Sequence, residues 1–387
     1  MELEFPLTAP VPLEPAPEFA TLRRSCPVAR VRLPSGDRAW LVTGYAGNRS
    51  LFADPLLSRA ASAAEGAPRL RAAPLDPCAL TTMDPPEHTR IRRTVMGAFT
   101  ASRVEAMRPG VDALANTLLD DLRAAGPPGD LVAGYARPLS IAVIGELLGV
   151  PEGDRPRFRR WTEDHLGTSP EAIRAADAAL RAYFTDLIAD GGGDGLIGAL
   201  ATENRLSRDE LVSLGITLIV AGYETVANTI AAGTVVLLLR PPLFTRLRDH
   251  PGLVPSAVEE LLRFTPISVS GGTIRVATGD TAIGDVPIRT GEAVLPATVS
   301  ANRDAAVFPD PDVFDIARDP NPHIAFGHGI HRCLGAHLAR MELQVAFGVL
   351  AARLPSLRLA APLTDIPWRR NGMIRGPREL PVMWDSP

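Results

Sequence analysis

Lysine is missing from this 387-residue chain, so all 40 of its basic residues are arginine, and Ala, Gly and Pro are abundant; both features read as compositional bias rather than function. An excess of either charge is missing too. The formal net charge is −4 and the isoelectric point is near 6.0, which argues against a generic nucleic-acid binder, for which a basic domain or patch is expected. Cysteine is scarce, and Cys26, Cys78 and Cys333 are too scattered for a disulfide framework, which fits a reducing compartment. Residues 1–18 are proline-rich and acidic, with neither a basic region nor an apolar run, so no signal peptide or anchor is expected. Uninterrupted apolar runs of spanning length are also lacking. Glu224 divides the most apolar segment into 211–223 and 225–239, each short of the roughly 18 residues of a membrane span. A buried core helix and a soluble, cytoplasmic protein are the expectation. With 46% hydrophobic residues the chain can bury a large core, and its length alone allows more than one domain.

What is present concentrates in residues 326–340, Phe-Gly-His-Gly-Ile-His-Arg-Cys-Leu-Gly-Ala-His-Leu-Ala-Arg. Gly327, Gly329 and Gly335 let the backbone approach a flat ligand. The segment 334–350 is rich in helix formers, so Cys333 falls near a helix N-terminus, where amide N–H groups and the macrodipole favour a thiolate. One use for such a thiolate is as the axial ligand of haem iron, where it favours O–O cleavage. Plainer readings stand beside this one. A lone cysteine can be a small buried hydrophobe, and His328, His331, Cys333 and His337 crowd together as zinc ligands would, although no second Cys pair closes such a site. Phe326, Gly329, Cys333 and Gly335 at this spacing rarely coincide by chance, which favours the haem reading. In these residues the chain resembles the haem-binding loop of the cytochrome P-450 monooxygenases.

Three further stretches bear on that resemblance. In residues 83–93 a helix is expected to begin, with Asp84 as its cap and Pro85 in the first turn. His88 and Arg92 share a face there and suit an anionic group, and the resemblance implies a haem propionate. The longest helical signal, 207–239, opens with a Ser207–Glu210 capping box and holds Ala221-Gly222-Tyr223-Glu224-Thr225 in its middle. A carboxylate beside a hydroxyl in an apolar helix is costly unless bonded or used. Thr225 can bond back to a carbonyl while Glu224 reaches the surface or an arginine. Beside a haem loop, the pair instead relays the protons that dioxygen needs, next to the small-residue groove at Ala221 and Gly222; the stretch is similar to the family's oxygen-activating motif. Finally, Glu260 and Arg263 lie three apart on a helix, 257–264, with Arg303 downstream, and the resemblance implies a three-member network supporting the cysteine side. It also implies that Arg275 joins His88, Arg92 and His331 at the propionates.

The remaining pattern predicts helices at 17–25, 45–53, 104–125, 136–148, 154–165 and 170–189, a hairpin of 29–33 with 39–43, strands at 273–276, 281–283 and 293–295, and a turn at Arg375-Gly376-Pro377. The resemblance implies the cytochrome P-450 fold, mainly α with a smaller β-rich region (α+β), as a single domain over 1–387. It implies heme b held through Cys333, with Ala221, Gly222, Phe326, Gly327, His331 and Gly335 against the cofactor and Glu224 and Thr225 as catalytic residues. Dioxygen, a small-molecule substrate and a ferredoxin-type electron donor with its reductase are the implied partners, the donor drawn to Arg90, Arg93 and Arg332 with Arg103 and Arg108 nearby; no nucleic acid and no membrane are expected. The implied reaction is hydroxylation or oxidative coupling of a small apolar or aromatic specialised metabolite. Trp40 and residues 65–70 are similar to members acting on cyclic dipeptides; macrolides, terpenoids and other polyketides stay open. A haem-thiolate peroxygenase or isomerase, and a haem-free binding protein, are the readings from other classes.

Overall fold

The computed structural model describes residues 3–70, 75–268, 271–369 and 374–385. Its frame is helical: α1 (Pro17–Ser25), α2 (Tyr45–Ala53), α3 (Glu87–Val95), α4 (Ala101–Ala125), α5 (Arg137–Leu148), α6 (Arg155–His165), α7 (Pro170–Ala189), α8 (Leu196–Glu203), α9 (Arg208–Leu238), α10 (Pro241–Asp249), α11 (Val254–Phe264), α12 (Thr298–Ala301) and α13 (Ala336–Arg353). The strands are short: β1 (Leu3–Glu4), β2 (Val28–Arg32), β3 (Arg38–Val42), β4 (Leu57–Ser58), β5 (Gly129–Asp130), β6 (Arg275–Ala277), β7 (Thr281–Ile283), β8 (Val286–Ile288), β9 (Ala293–Pro296), β10 (Arg358–Leu359), β11 (Trp368–Arg369), β12 (Gly376–Pro377) and β13 (Pro381–Met383). One sheet runs β1-β2-β3-β9-β6-β4, parallel at β1–β2 and β3–β9 and antiparallel elsewhere. This is the mainly α architecture with a smaller β region that the resemblance implies.

The helical part is built around α9. Its first turn closes reciprocally: Glu210 N–H donates to Ser207 Oγ at 3.2 Å, and Ser207 N–H donates to the Glu210 carboxylate at 2.8 Å. Beyond that cap nearly every side chain is buried, so the helix has no polar stripe and must be covered on all sides. Helices α5, α7 and α13 cover it. By length and composition α9 could cross a membrane, but it lies inside the largest hydrophobic cluster of the molecule. The approach of α5 dictates one residue type: a Cβ on Gly222 would stand 2.7 Å from Ile144 Cγ1. Gly222 is therefore small for helix packing as well as for the cavity it borders.

Several elements depart from the expected ones, mostly through partners distant in sequence. The first hairpin sits one residue earlier than expected. Asp84 does not cap α3, which starts at Glu87 behind Pro86. Its carboxylate is occupied by the Ser58 hydroxyl and by the N–H groups of Arg59 at 3.0 Å and Ala60 at 3.3 Å. Helix α4 starts three residues early, and a π-helical turn, Val132–Ala136, precedes α5. Helices α8 and α10 were not expected, since both lack a side-chain cap and follow breaker residues; buried Ile197, Leu200, Phe244 and Leu247 anchor them from the core instead. Arg375-Gly376-Pro377 is not a turn, because Gly376–Pro377 pairs as β12 with β11.

Two charge networks support the cysteine side. Arg263 donates to Glu260 at 2.8 and 2.7 Å, with both side chains wholly enclosed. Arg303, expected as the third member, is drawn elsewhere: it donates to Asp312 at 2.8 Å and to Phe264 O at 2.9 Å, and its guanidinium lies 3.6 Å from the Phe264 ring centre. Arg318 and Asn321 take the place beside Glu260, at 3.2 and 3.1 Å. In the second network Arg340 donates to Glu259 at 2.7 and 2.8 Å while His323 Nε2 stands 2.9 Å from it. Burial alone would raise the Glu259 carboxyl, but His323 and Arg340 bring it down to about 2.

Two outcomes follow for stability. Glu260→Ala strands an enclosed guanidinium and is expected to cost about 3–5 kcal/mol in thermal or denaturant unfolding, whereas Asp249→Ala, in an exposed pair with Arg248, should leave the unfolding midpoint nearly unchanged. Glu259→Gln should cost about 1–3 kcal/mol at neutral pH. The depressed carboxyl stabilises above its ordinary value of 4.5, so the gap between wild type and Gln variant should begin to close below that pH and vanish toward about 2. Urea unfolding across acidic pH measures it, and a pH-independent gap would contradict the assignment.

Candidate active site

The cysteine loop is shaped by its backbone. Gly327 N–H donates to Ile324 O at 2.9 Å and Cys333 N–H donates to Phe326 O at 2.8 Å. Gly329, at a φ of +72°, approaches α2 so closely that a Cβ there would stand 2.4 Å from Phe52 O; only glycine meets both demands. Arg92 Nη2 donates to Arg332 O at 2.6 Å and ties α3 to the loop. Helix α13 then begins at Ala336, with Gly335 at its cap.

Cys333 borders a cavity of about 470 Å³. Phe326, Gly327 and Gly335 border it with Cys333, Ala221, Gly222 and Thr225 come to it from α9, and His88, Arg92, Arg275 and His331 complete the expected set. Glu224 alone among the expected site residues is not on its wall. Its side chain is 1% exposed, with Oε2 accepting from Arg369 Nη1 at 2.8 Å and Asn228 Nδ2 at 3.0 Å while Oε1 has no partner among the described residues. Thr225 Oγ donates to Ala221 O at 2.6 Å. The acid and the alcohol are therefore not bonded to each other, and each makes the plainer contact that the sequence allowed.

The nitrogen-bearing side chains at this cavity are poorly satisfied. Both His88 ring nitrogens, His331 Nε2 and Arg275 Nη1 are buried without a hydrogen-bond partner among the described residues, and the two rings lie 4.3 Å apart. Burial, reinforced by His88, Arg275, Arg59 and Arg92, pushes the His331 ring down to about 3. Arg59, which sequence reasoning missed, adds a further buried guanidinium, lowered to about 9 chiefly by burial and then by Arg275. It is held by Thr81 O at 2.8 Å and by Ile274 O, contacts that no local motif announces. Glu342 was missed as well. It is 2% exposed on the cavity wall, its carboxyl raised to about 8 by burial, and a lone Glu among Leu338, Met341 and Val345 was the available signal.

These features fit a flat, dianionic, metal-bearing group. The unpaired donors call for acceptors such as two carboxylates. A Cβ at Gly335 or Gly327 would meet no protein atom within 4 Å, so the space beside the cysteine is left free. Burial pushes the Cys333 thiol up, against the Gly335 N–H and the charges of Arg92, Arg332 and Arg340. The helix N-terminus alone does not secure a thiolate here, whereas a metal cation on the sulfur does. The zinc alternative finds no support, since no group of three or more His, Cys, Asp or Glu among the described residues is placed to hold an ion.

Comparison with known proteins agrees. The family model described as Cytochrome P450 matches residues 194–354. The chain is 46% identical over 390 residues to nocardicin C N-oxygenase of Nocardia uniformis subsp. tsuyamanensis, covering 98% of each chain. It is 45% identical to mycinamicin IV hydroxylase/epoxidase of Micromonospora griseorubida, covering 95% of each. The crystal structure of the LnmA cytochrome P450 hydroxylase from the leinamycin pathway of Streptomyces atroolivaceus superposes with a TM-score of 0.91 at 44% identity, over 99% of this chain and 100% of that one. Likeness of this extent over nearly the whole length makes the chain a member of the cytochrome P450 family of haem-thiolate monooxygenases.

Proposed function

We propose that this P450, acting as a single domain over 1–387 in the cytoplasm, uses heme b ligated through Cys333 to oxygenate a small, largely apolar specialised metabolite, with electrons from a ferredoxin-type donor and its reductase. The observation carrying this reading is that Cys333, the nitrogen donors of His88, Arg92, Arg275 and His331, and Ala221, Gly222 and Thr225 of α9 all border one cavity. When bound, the haem supplies dioxygen reduction and oxygen-atom transfer, so that R–H, dioxygen, two electrons and two protons become R–OH and water. The remaining tasks belong to the polypeptide. Arg92 and Arg275 offset the propionate charges, His88 and His331 donate ring N–H groups to them, and the Gly335 N–H steadies the sulfur. Thr225 Oγ, now donating to Ala221 O, is the hydroxyl that holds a proton at the cavity, and Glu224 is the acid beside it that renews that proton.

The rest of the wall supports an apolar substrate. Leu80, Leu218, Ile267, Val299 and Ile374 supply hydrophobic surface, and the hydroxyls of Thr81, Thr217 and Thr273 supply sparse polar contacts. Trp40 does not border the cavity; its Nε1 donates to Glu292 at 2.8 Å and Arg30 stacks on its ring. Residues 65–70 do not border it either, so the cyclic-dipeptide lead rests on no cavity residue, and macrolide, terpenoid or other polyketide substrates stand beside it. For the donor, Arg90 is committed to Glu87 and Glu210, and Arg108 to Glu105. Arg93, Arg103 and Arg332 are the exposed arginines that remain of the expected basic face.

The test is a panel of macrolides, terpenoids, other polyketides and cyclic dipeptides screened for a shift of the haem spectrum, followed by turnover of the best ligand. Thr225→Ala should then lower product per electron by about tenfold or more, with the missing electrons recovered as hydrogen peroxide. Unchanged coupling would remove Thr225 from the relay.

A further inference from the structure

The carboxylate assigned to proton supply faces away from the cavity, and what turns it away comes from the far end of the chain. Arg369, on β11, holds Glu224 Oε2 at 2.8 Å. Its partner strand β12 presses on the next turn of α9, where a Cβ on Gly376 would stand 1.8 Å from Asn228 Oδ1. Asn228 in turn donates to Glu224 Oε2 at 3.0 Å and to Glu224 O at 2.7 Å. One hairpin thus grips the carboxylate twice, directly and through Asn228. Just before β12, Ile374 bridges to Ser268 and lines the cavity, so the same hairpin touches the space where a substrate lies.

We infer that this C-terminal hairpin governs proton supply, with Arg369 as the positioning residue that holds Glu224 in reserve. The inference rests on the role given to Glu224 above. In the reserve state Oε2 is bound and Oε1 is buried with no partner among the described residues. On release, a protonated Oε1 turns to Thr225 Oγ and passes its proton on as Thr225 gives up its own. The carboxylate left behind returns to Arg369, whose charge stabilises it, and is reprotonated from solvent on the side of Arg137 and Glu163, a partly exposed pair 3.3 Å apart. The charged and titratable groups around the carboxyl are Arg369 from β11, Arg137 from α5, Glu163 from α6 and Tyr223 from α9 itself.

Arg369→Gln, Arg369→Lys and Glu224→Gln in the haem-loaded enzyme test this by two readouts. The infrared band of the protonated Glu224 carboxyl, identified by its loss in Glu224→Gln, is titrated with pH. An opposite charge at this distance favours the ionised form, so Arg369→Gln should move that titration upward by about one to three pH units. It should also raise the share of electrons lost as peroxide severalfold. Arg369→Lys, which keeps the charge and spares the fold, should show smaller shifts in the same directions. If either readout stays at its wild-type value in both Arg369 variants while Glu224→Gln raises the peroxide share, the hairpin inference is overturned and the role of Glu224 stands. If Glu224→Gln leaves the peroxide share unchanged, that role falls and the inference with it.

Discussion

Positive charge is gathered beside one buried cavity with almost nothing to neutralise it, and much of the site follows from that imbalance. Arg59, Arg92 and Arg275 border this space beside His88 and His331, whose rings burial keeps from charging. Asp84 is the carboxylate whose charge reaches His88, Arg59 and Arg275, and its oxygens already accept from Ser58, Arg59 and Ala60. Desolvated cations with unpaired donors are costly unless an anion meets them. The propionates of the proposed haem would be such an anion pair, and a group that binds only the folded chain would stabilise it.

The architecture presents one fixed wall and one adjustable wall to that group. The cysteine side is fixed by the Phe326–Cys333 hydrogen bond, by the approach of α2 permitted at Gly329, and by the ion pairs of buried Glu260 and half-buried Glu259. The α9 side is rigid in packing yet adjustable in chemistry. Gly222 is pinned against Ile144, while the neighbouring Thr225 and Glu224 side chains each satisfy themselves on local partners that a rotation can exchange. The proposed ligand sulfur and the proposed proton carrier thus lie on different elements.

Features carried by local spacing were legible in the sequence. The capping box of α9, the ends of α1, α2 and α7 and the glycine-punctuated cysteine loop depend on residues within a few positions of one another, and so do His88 and Arg92 on one helical face. Features settled by distant partners were not. Asp84 looked like a helix cap until Ser58 and Arg59 claimed it, Arg303 looked like a partner of Glu260 until Asp312 and the Phe264 ring drew it off, and α8 and α10 depend on core contacts rather than caps. Glu224 is the instructive case. Its sequence neighbourhood marked it as unusual, but its contact with Arg369, 145 positions away, is what turns it from the cavity.

The central claim is that Cys333 ligates the iron of a haem held in this cavity. Its most direct test is the absorption spectrum of the dithionite-reduced protein with and without carbon monoxide, recorded for wild type and for Cys333→Ser. The account predicts a strongly red-shifted Soret band in the wild type and its loss in the variant. A protein that takes up no haem on reconstitution, or a red-shifted band that survives the substitution, would contradict it.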